Sequence, residues 1–104
     1  MQGLEEVCFQ IISYSGTAKS MYIEAIQQAK AGDFDQADQS MKDAEDIFVS
    51  AHKVHMDLIS KEAGGEKQQV SLLLIHAEDQ MATCESMKIL AQEIVDLYKD
   101  KYQK

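Results

Sequence analysis

The chain has 104 residues and a formal net charge of -8, with 18 acidic side chains, ten lysines and no arginine. This length predicts a single domain over 1–104. Hydrophobic residues make up 45% and charged residues 27% of the chain, a balance typical of folded proteins rather than disordered ones. The lack of a basic face argues against nucleic acid and against an anionic membrane surface as partners.

The sequence also bears on where the chain acts. It has no run of roughly 18 apolar residues, so we expect no membrane insertion. The acidic N-terminus lacks the basic segment of a signal peptide. Cys8 and Cys84 lie far apart, with neither a CxxC motif nor zinc-ligand spacing. We therefore expect reduced thiols that fill the core of a cytoplasmic protein.

Glycines divide the chain into three long segments with helical periodicity. Gly32 follows the first segment and Gly64 follows the second, and glycine just past a helix end is the usual stop signal. Asp33 is the expected N-cap of the second helix. The short connections favour antiparallel neighbours, so the sequence predicts an all-α, antiparallel three-helix bundle with long helices. The predicted helices span 4–31, 34–62 and 67–101.

The third predicted helix has more apolar surface than a single packing seam needs. Apolar residues recur at alternating steps of four and three along all three segments, which is typical of coiled-coil-like packing. The third helix is also apolar nearly all round from Val70 to Ala77. Two sibling helices cannot cover that surface, so we expect an oligomer built around this helix; a monomer with an exposed patch is the alternative. A second stripe on this helix consists of Met87, Leu90, Ile94 and Leu97.

The segment SLLLIHAEDQ, residues 71–80, places His76 in an apolar run with Asp79 one helical turn further on. A buried carboxylate needs an ionic partner, a proton or a cation. A neutral imidazole is nucleophilic near neutral pH and can accept a phosphoryl group. From spacing alone, however, a hydrogen-bonded core histidine at position 76 is favoured over a nucleophile.

Two other histidines lie three residues apart on the second predicted helix. His52 and His55 could together form a two-histidine metal site. Because His55 falls in an otherwise apolar series at three- and four-residue spacing with Phe48, Ala51 and Leu58, a hydrogen-bonded core histidine is the favoured interpretation.

The segment SYSGTAKS, residues 13–20, is rich in small residues inside a predicted helix. One interpretation is a close approach between helices. The other is a notch beside His76, in which Ser15, Thr17 and Lys19 are available to a phosphate. The sequence does not choose between them.

Three segments, in the same order as in the family, resemble the enzyme IIA component of the lactose/cellobiose branch of the bacterial sugar phosphotransferase system. The resemblance covers nearly the whole chain. It implies a homotrimer of three-helix subunits and a phosphotransferase component with a phosphohistidine intermediate. The segments are FQIISYSGTAKSMYIEAIQQAKAGDFDQAD (9–38), FVSAHKVHMDLISKEAGGE (48–66) and SLLLIHAEDQMAT (71–83).

The resemblance implies roles for two residues. His76 matches the phosphorylated histidine, which takes the group from HPr and passes it to a cysteine of the cognate enzyme IIB during uptake of a β-linked disaccharide of the lactose or cellobiose/chitobiose type. Asp79 matches the acid that meets its two symmetry mates at the trimer axis. There it binds a divalent cation, with magnesium the expected ion, in a structural role.

The chain departs from the family pattern near His76. The family commonly reads HAQDHLMT where this chain reads HAEDQMAT. Glu78 replaces an amide, and Gln80 replaces a second histidine one turn after His76. Gln80 is expected to line the site, where its amide can still donate a hydrogen bond. Glu78 is about 160° from His76 around the helix, so we expect it to be solvated.

Two other functions fit parts of the pattern. A non-enzymatic helical adaptor would share the seam and the surplus apolar surface, but it gives no reason for an acid at Asp79. A two-component histidine phosphotransfer domain is also a helical bundle. Such domains typically follow the histidine with a His-x-Leu-Lys-Gly-like segment, whereas His76 is followed by Ala-Glu-Asp-Gln.

Overall fold

The structure, a computed structural model, describes residues 3–102. Within this range the chain forms three helices: α1 (Leu4–Lys30), α2 (Phe34–Ala63) and α3 (Leu72–Tyr102). The bundle measures 56 × 21 × 19 Å. The predicted all-α, three-helix architecture is confirmed, although the ends of the predicted 1–104 domain lie outside the described residues.

The first helix is the centre of the bundle. It packs against both other helices, whereas α2 and α3 have little backbone contact with each other. The first residues of α1 and α3 lie together, since Leu4 and Ser71 line the same hollow. Their last residues also meet, because the Tyr102 hydroxyl donates to the Lys30 carbonyl at 3.4 Å. α1 and α3 are therefore parallel, and α2 runs in the opposite direction.

The predicted packing seams form the core. Tyr22, Phe48, Ile11 and Val95 are its largest fully buried apolar side chains. Small residues separate these large ones on all three helices, which lets the backbones approach closely and the large side chains interdigitate. The fully buried alanines are Ala18, Ala25, Ala29, Ala37, Ala44, Ala51, Ala77 and Ala91.

The turn between α1 and α2 follows the sequence signals. Gly32 has a φ of 86°, a left-handed conformation that glycine adopts without steric cost. The Asp33 carboxylate accepts a hydrogen bond from the Gln36 backbone N–H at 3.4 Å. The prediction of Asp33 as the N-cap of α2 is confirmed.

The start of α3 differs from the prediction. The helix begins at Leu72 rather than at 67. The Ser71 hydroxyl accepts a hydrogen bond from the Leu74 N–H at 3.1 Å, and the Ser71 carbonyl accepts one from the Ile75 N–H at 3.0 Å. Val70 is 72% exposed and precedes the helix, so its inclusion in the predicted third helix is wrong. A serine N-cap, rather than the apolar spacing, determines where this helix begins.

No helix in residues 3–102 carries an apolar stretch long enough to span a bilayer.

Candidate functional site: the exposed histidine of α3

His76 lies on the second turn of α3, and its side chain is exposed to solvent. Its neighbour Ala77 is fully buried against the bundle. Successive residues are about 100° apart around a helix, so His76 falls at the edge of the packed side rather than in it. The favoured interpretation of a core histidine at this position is therefore wrong. The imidazole is accessible for reaction with a molecule from outside.

Asp79 lies on the side of α3 that faces away from the other two helices, and it is exposed in the subunit. It makes no ion pair with any residue in the described part of the chain. The surrounding face is apolar and open: Leu72 is 83% exposed and Leu97 is 67% exposed. The predicted surplus of apolar surface on this helix is confirmed. The remaining large exposed apolar residues of α3 are Ile75, Ile89, Leu90 and Tyr102.

Glu78 points towards α2, on the other side of α3 from His76. Both of its carboxylate oxygens lie 2.8 Å from Nε2 of His55. The Glu78 side chain is about half exposed, so it is solvated on one side and hydrogen-bonded on the other. His55 is half-buried and hydrogen-bonded, which matches the favoured interpretation. His52 pairs with a different carboxylate, that of Glu85, at 3.2 Å.

The remaining predicted site residues lie in different environments. Ser15 is buried, and its hydroxyl has no hydrogen-bond partner among residues 3–102. Thr17 is exposed, and Lys19 and Gln80 are half-buried. A Cβ added at Gly16 would meet no atom of another helix within 4 Å in residues 3–102, so this glycine serves no close helix contact within one chain.

The parallel alignment of α1 and α3 separates the small-residue segment from His76. Leu4 is level with Ser71, so Ser15 lies roughly 10 Å further along the bundle than His76. The structure thus does not bring Ser15 beside the imidazole. The site-lining role of Ser15, Thr17 and Lys19 stays a prediction.

A polar cluster that joins all three helices was only faintly signalled in the sequence. The Tyr22 hydroxyl donates to Oε2 of Glu45 at 3.0 Å, and Nζ of Lys88 lies 2.7 Å from the same oxygen. The hydrogen bond from Lys88 holds the pKa of the Glu45 carboxyl below its usual value. Burial, more than any other cause, raises the pKa of Tyr22 well above its usual range. The sequence carries one signal for it, because Lys88 interrupts a series of α3 residues at alternating three- and four-residue spacing that is otherwise apolar: Met81, Cys84, Lys88, Ala91 and Val95.

This cluster borders a hollow of about 590 Å³ between α2 and α3. The hollow exists because the two helices have little contact there. It does not include His76.

Both cysteines are free and buried in the core. Burial raises the pKa of the Cys84 thiol to about 11, so it stays protonated at neutral pH. The prediction that the cysteines fill the core is confirmed.

No group of three or more histidine, cysteine, aspartate or glutamate side chains that could hold a metal ion occurs within the described part of one chain. A site built from one Asp79 per subunit would exist only between copies.

These features define a class of protein: a three-helix bundle that presents an accessible histidine at the edge of an open apolar face. The family model for the lactose/cellobiose-specific IIA subunit of the PTS system matches residues 6–99. The chain belongs to this family, and its function is to carry a phosphoryl group within a sugar phosphotransferase system. Family membership excludes the helical adaptor and the two-component phosphotransfer domain.

Individual relatives agree with this assignment. The oligo-β-mannoside-specific EIIA component of Bacillus subtilis strain 168 is 43% identical over 97 residues, which cover 93% of this chain and 88% of the relative. The cellobiose-specific enzyme IIA from Bacillus anthracis is 42% identical in sequence to this chain. Its crystal structure matches this fold with a TM-score of 0.94, and the match covers 100% of this chain and 96% of that chain. The solution structure of the IIA(chitobiose)–HPr complex of Escherichia coli gives 35% identity and a TM-score of 0.85, over 98% and 99% of the two chains.

Proposed function

We propose that His76 carries the phosphoryl group, which it accepts from phosphohistidine on HPr and passes to a cysteine of the cognate enzyme IIB. The exposure of the His76 side chain carries this proposal. The chain has three histidines, and the other two are hydrogen-bonded to Glu85 and Glu78. His76 is thus the best placed of the three to reach a partner protein.

The transfer needs no oxidant and no net change in protonation. One ring nitrogen of neutral His76 attacks phosphorus, and the phosphorus–nitrogen bond of the donor breaks as its imidazole leaves. In the second step a thiolate of enzyme IIB attacks the same phosphorus, and the bond to His76 breaks. Catalysis in such transfers is largely positioning and charge stabilisation. The E. coli relative is solved as a complex with HPr, which supports HPr as the donor.

We infer that the subunit assembles as a homotrimer through the outward face of α3. Leu72, Ile75 and Leu97 are exposed there in a single subunit, and contiguous apolar surface of this kind usually marks a contact between proteins. A parallel arrangement of three α3 helices would cover this face. It would also leave His76 at the edge of the contact, open to partners.

Such an assembly would bring three copies of Asp79 together. Carboxylates that meet away from water repel one another unless they share a proton or a cation. Carboxylate oxygens are the ligands preferred by Mg²⁺ and Ca²⁺, and Asp79 has no ion-pair partner among residues 3–102 to compete for it, so its environment fits a divalent cation. A bound cation, with Mg²⁺ the expected ion, would neutralise the three charges in a structural role.

We also propose that Gln80 lines the site. It lies one turn after His76, and its amide can donate a hydrogen bond to a phosphoryl oxygen.

The transported sugar is expected to be β-linked, because the three relatives are named for oligo-β-mannoside, cellobiose and chitobiose.

The test is phosphorylation of the purified protein by enzyme I, HPr and radiolabelled phosphoenolpyruvate. We expect acid-labile phosphate on the wild type and none on His76→Ala. His52→Ala is the matched control, since it removes another exposed histidine, and it should label normally. Wild-type protein that takes no label, or equal labelling of His76→Ala, would refute the proposal.

A further inference from the structure

The first turns of α3 carry His76, yet they have few polar attachments to the rest of the subunit. α2 and α3 have little backbone contact, and within residues 3–102 four polar side-chain pairs join them. These pairs are His55–Glu78, His52–Glu85, Glu45–Lys88 and Asp38–Lys99.

One of these pairs lies close to His76. Glu78 is two residues after His76. Glu85, the next paired residue of α3, lies about two and a half turns after His76. Nε2 of His55 lies 2.8 Å from both Glu78 oxygens, a short contact of the charge-assisted kind. The His55 side chain is only 17% exposed, so the pair is better shielded from solvent than His52–Glu85.

The position of this pair on the helix decides what it can do. Glu78 and His76 are about 160° apart around α3, so a hydrogen bond at Glu78 holds the side of the helix opposite to His76. A helix rotates as a unit, and fixing one side fixes the direction of the other. In-line transfer requires the attacking nitrogen to be aligned with the donor bond, and small misplacements are costly.

We propose that His55 is a positioning residue for phosphoryl transfer, which acts by holding Glu78 and thereby the orientation of His76. The proposal rests on the function proposed above. His55 touches neither the phosphoryl group nor the imidazole of His76. Its effect should therefore appear in the rate of transfer and not in the affinity for HPr.

The test measures single-turnover transfer from phospho-HPr over a range of donor concentrations. His55→Ala removes the hydrogen-bond donor and should lower the maximal rate about tenfold, with the half-saturating concentration within about twofold of wild type. His55→Gln places an amide N–H near the position of the ring N–H, so it should restore the rate to within about twofold of wild type. Glu85→Gln, which weakens the neighbouring pair, is the matched control and should transfer at the wild-type rate.

A second measurement requires no phosphoryl relay. Amide hydrogen exchange at residues 75–79 should be faster in His55→Ala than in wild type, and should be unchanged in Glu85→Gln. The proposal is overturned if amide hydrogen exchange at residues 75–79 is the same in His55→Ala as in wild type. It is also overturned if His55→Gln transfers the phosphoryl group as slowly as His55→Ala.

The outcomes separate the two claims. If the wild type is labelled and His55→Ala transfers at the wild-type rate, only the positioning role is refuted. A wild type that takes no label refutes the proposed function, and the positioning role with it.

Discussion

Nζ of Lys88 lies 2.7 Å from Oε2 of Glu45 and joins α3 to α2 where these helices have little other contact. The Tyr22 hydroxyl of α1 donates to the same oxygen at 3.0 Å. One carboxylate therefore links all three helices near the middle of the bundle. The other three α2–α3 pairs each join two side chains at exposed or half-buried positions.

This cluster predicts a pH dependence of stability. The hydrogen bond from Lys88 lowers the pKa of Glu45 in the folded state. A lowered folded-state pKa means that the carboxylate stabilises the fold above its unfolded pKa of about 4.3, and that this contribution is lost as the pH falls through the folded-state value. Glu45→Gln should therefore lower the free energy of unfolding at pH 7 and should reduce the loss of stability in acid. Urea unfolding at a series of pH values measures both effects.

Asp57→Asn provides the comparison for this experiment, since it neutralises an exposed acid on the same helix. It should leave the free energy of unfolding nearly unchanged at pH 7. If Glu45→Gln and wild type lose the same stability on acidification, the Glu45 cluster is not the cause of the acid sensitivity.

The parts of the fold that were predictable depend on local signals. The helical periodicity of α1 and the N-cap at Asp33 are encoded by residues within one or two turns, and both were predicted correctly. The start of α3 was missed because apolar spacing continues through Val70, while the actual signal is a single hydroxyl at Ser71. Tyr22, Glu45 and Lys88 are separated by 23 and 43 positions, so no local pattern could place them together.

The site was only partly predictable, for a geometric reason. His76 lies near the boundary of the packed side of α3, where a change of some tens of degrees in helix orientation separates a core histidine from an accessible one. The packing of α3 on α1 decides on which side of that boundary His76 falls. The pairing of Glu78 with His55 likewise depends on how α2 and α3 face each other, and spacing along either helix does not reveal it.

The contribution of the α3 N-cap to the free energy of unfolding should be measurable on its own. Ser71→Ala removes the side-chain acceptor of the Leu74 N–H, so it should lower the free energy of unfolding by about 1 kcal/mol. Ser20→Ala changes an exposed serine in the middle of α1, where alanine is the better helix former, and should be neutral or slightly stabilising. Urea denaturation of the two variants side by side tests the difference. An equal effect of both substitutions would contradict the capping role.

The outward face of α3 can be tested by comparing two exposed isoleucines. Ile75 on α3 is 55% exposed and Ile59 on α2 is 45% exposed. If copies pack through α3, Ile75→Lys places a charge inside the contact and should shift the protein to monomers, whereas Ile59→Lys should leave the assembly intact. Sedimentation velocity of both variants and of wild type gives the oligomeric state. A wild-type monomer, or dissociation by Ile59→Lys alone, would contradict an assembly through α3.

The role proposed for Asp79 predicts a dependence on divalent cations. Three carboxylates brought together in a trimer repel one another, and a cation that binds only the assembled form stabilises it in proportion to its concentration. The melting temperature of wild type should therefore rise with added Mg²⁺ and fall when a chelator is added. Asp79→Asn removes the charges, so its melting temperature should respond to neither addition and should exceed that of chelated wild type. Asp57→Asn leaves Asp79 in place and should keep the full response to Mg²⁺. A response to Mg²⁺ that survives in Asp79→Asn would show that the cation binds elsewhere and that Asp79 is not its ligand.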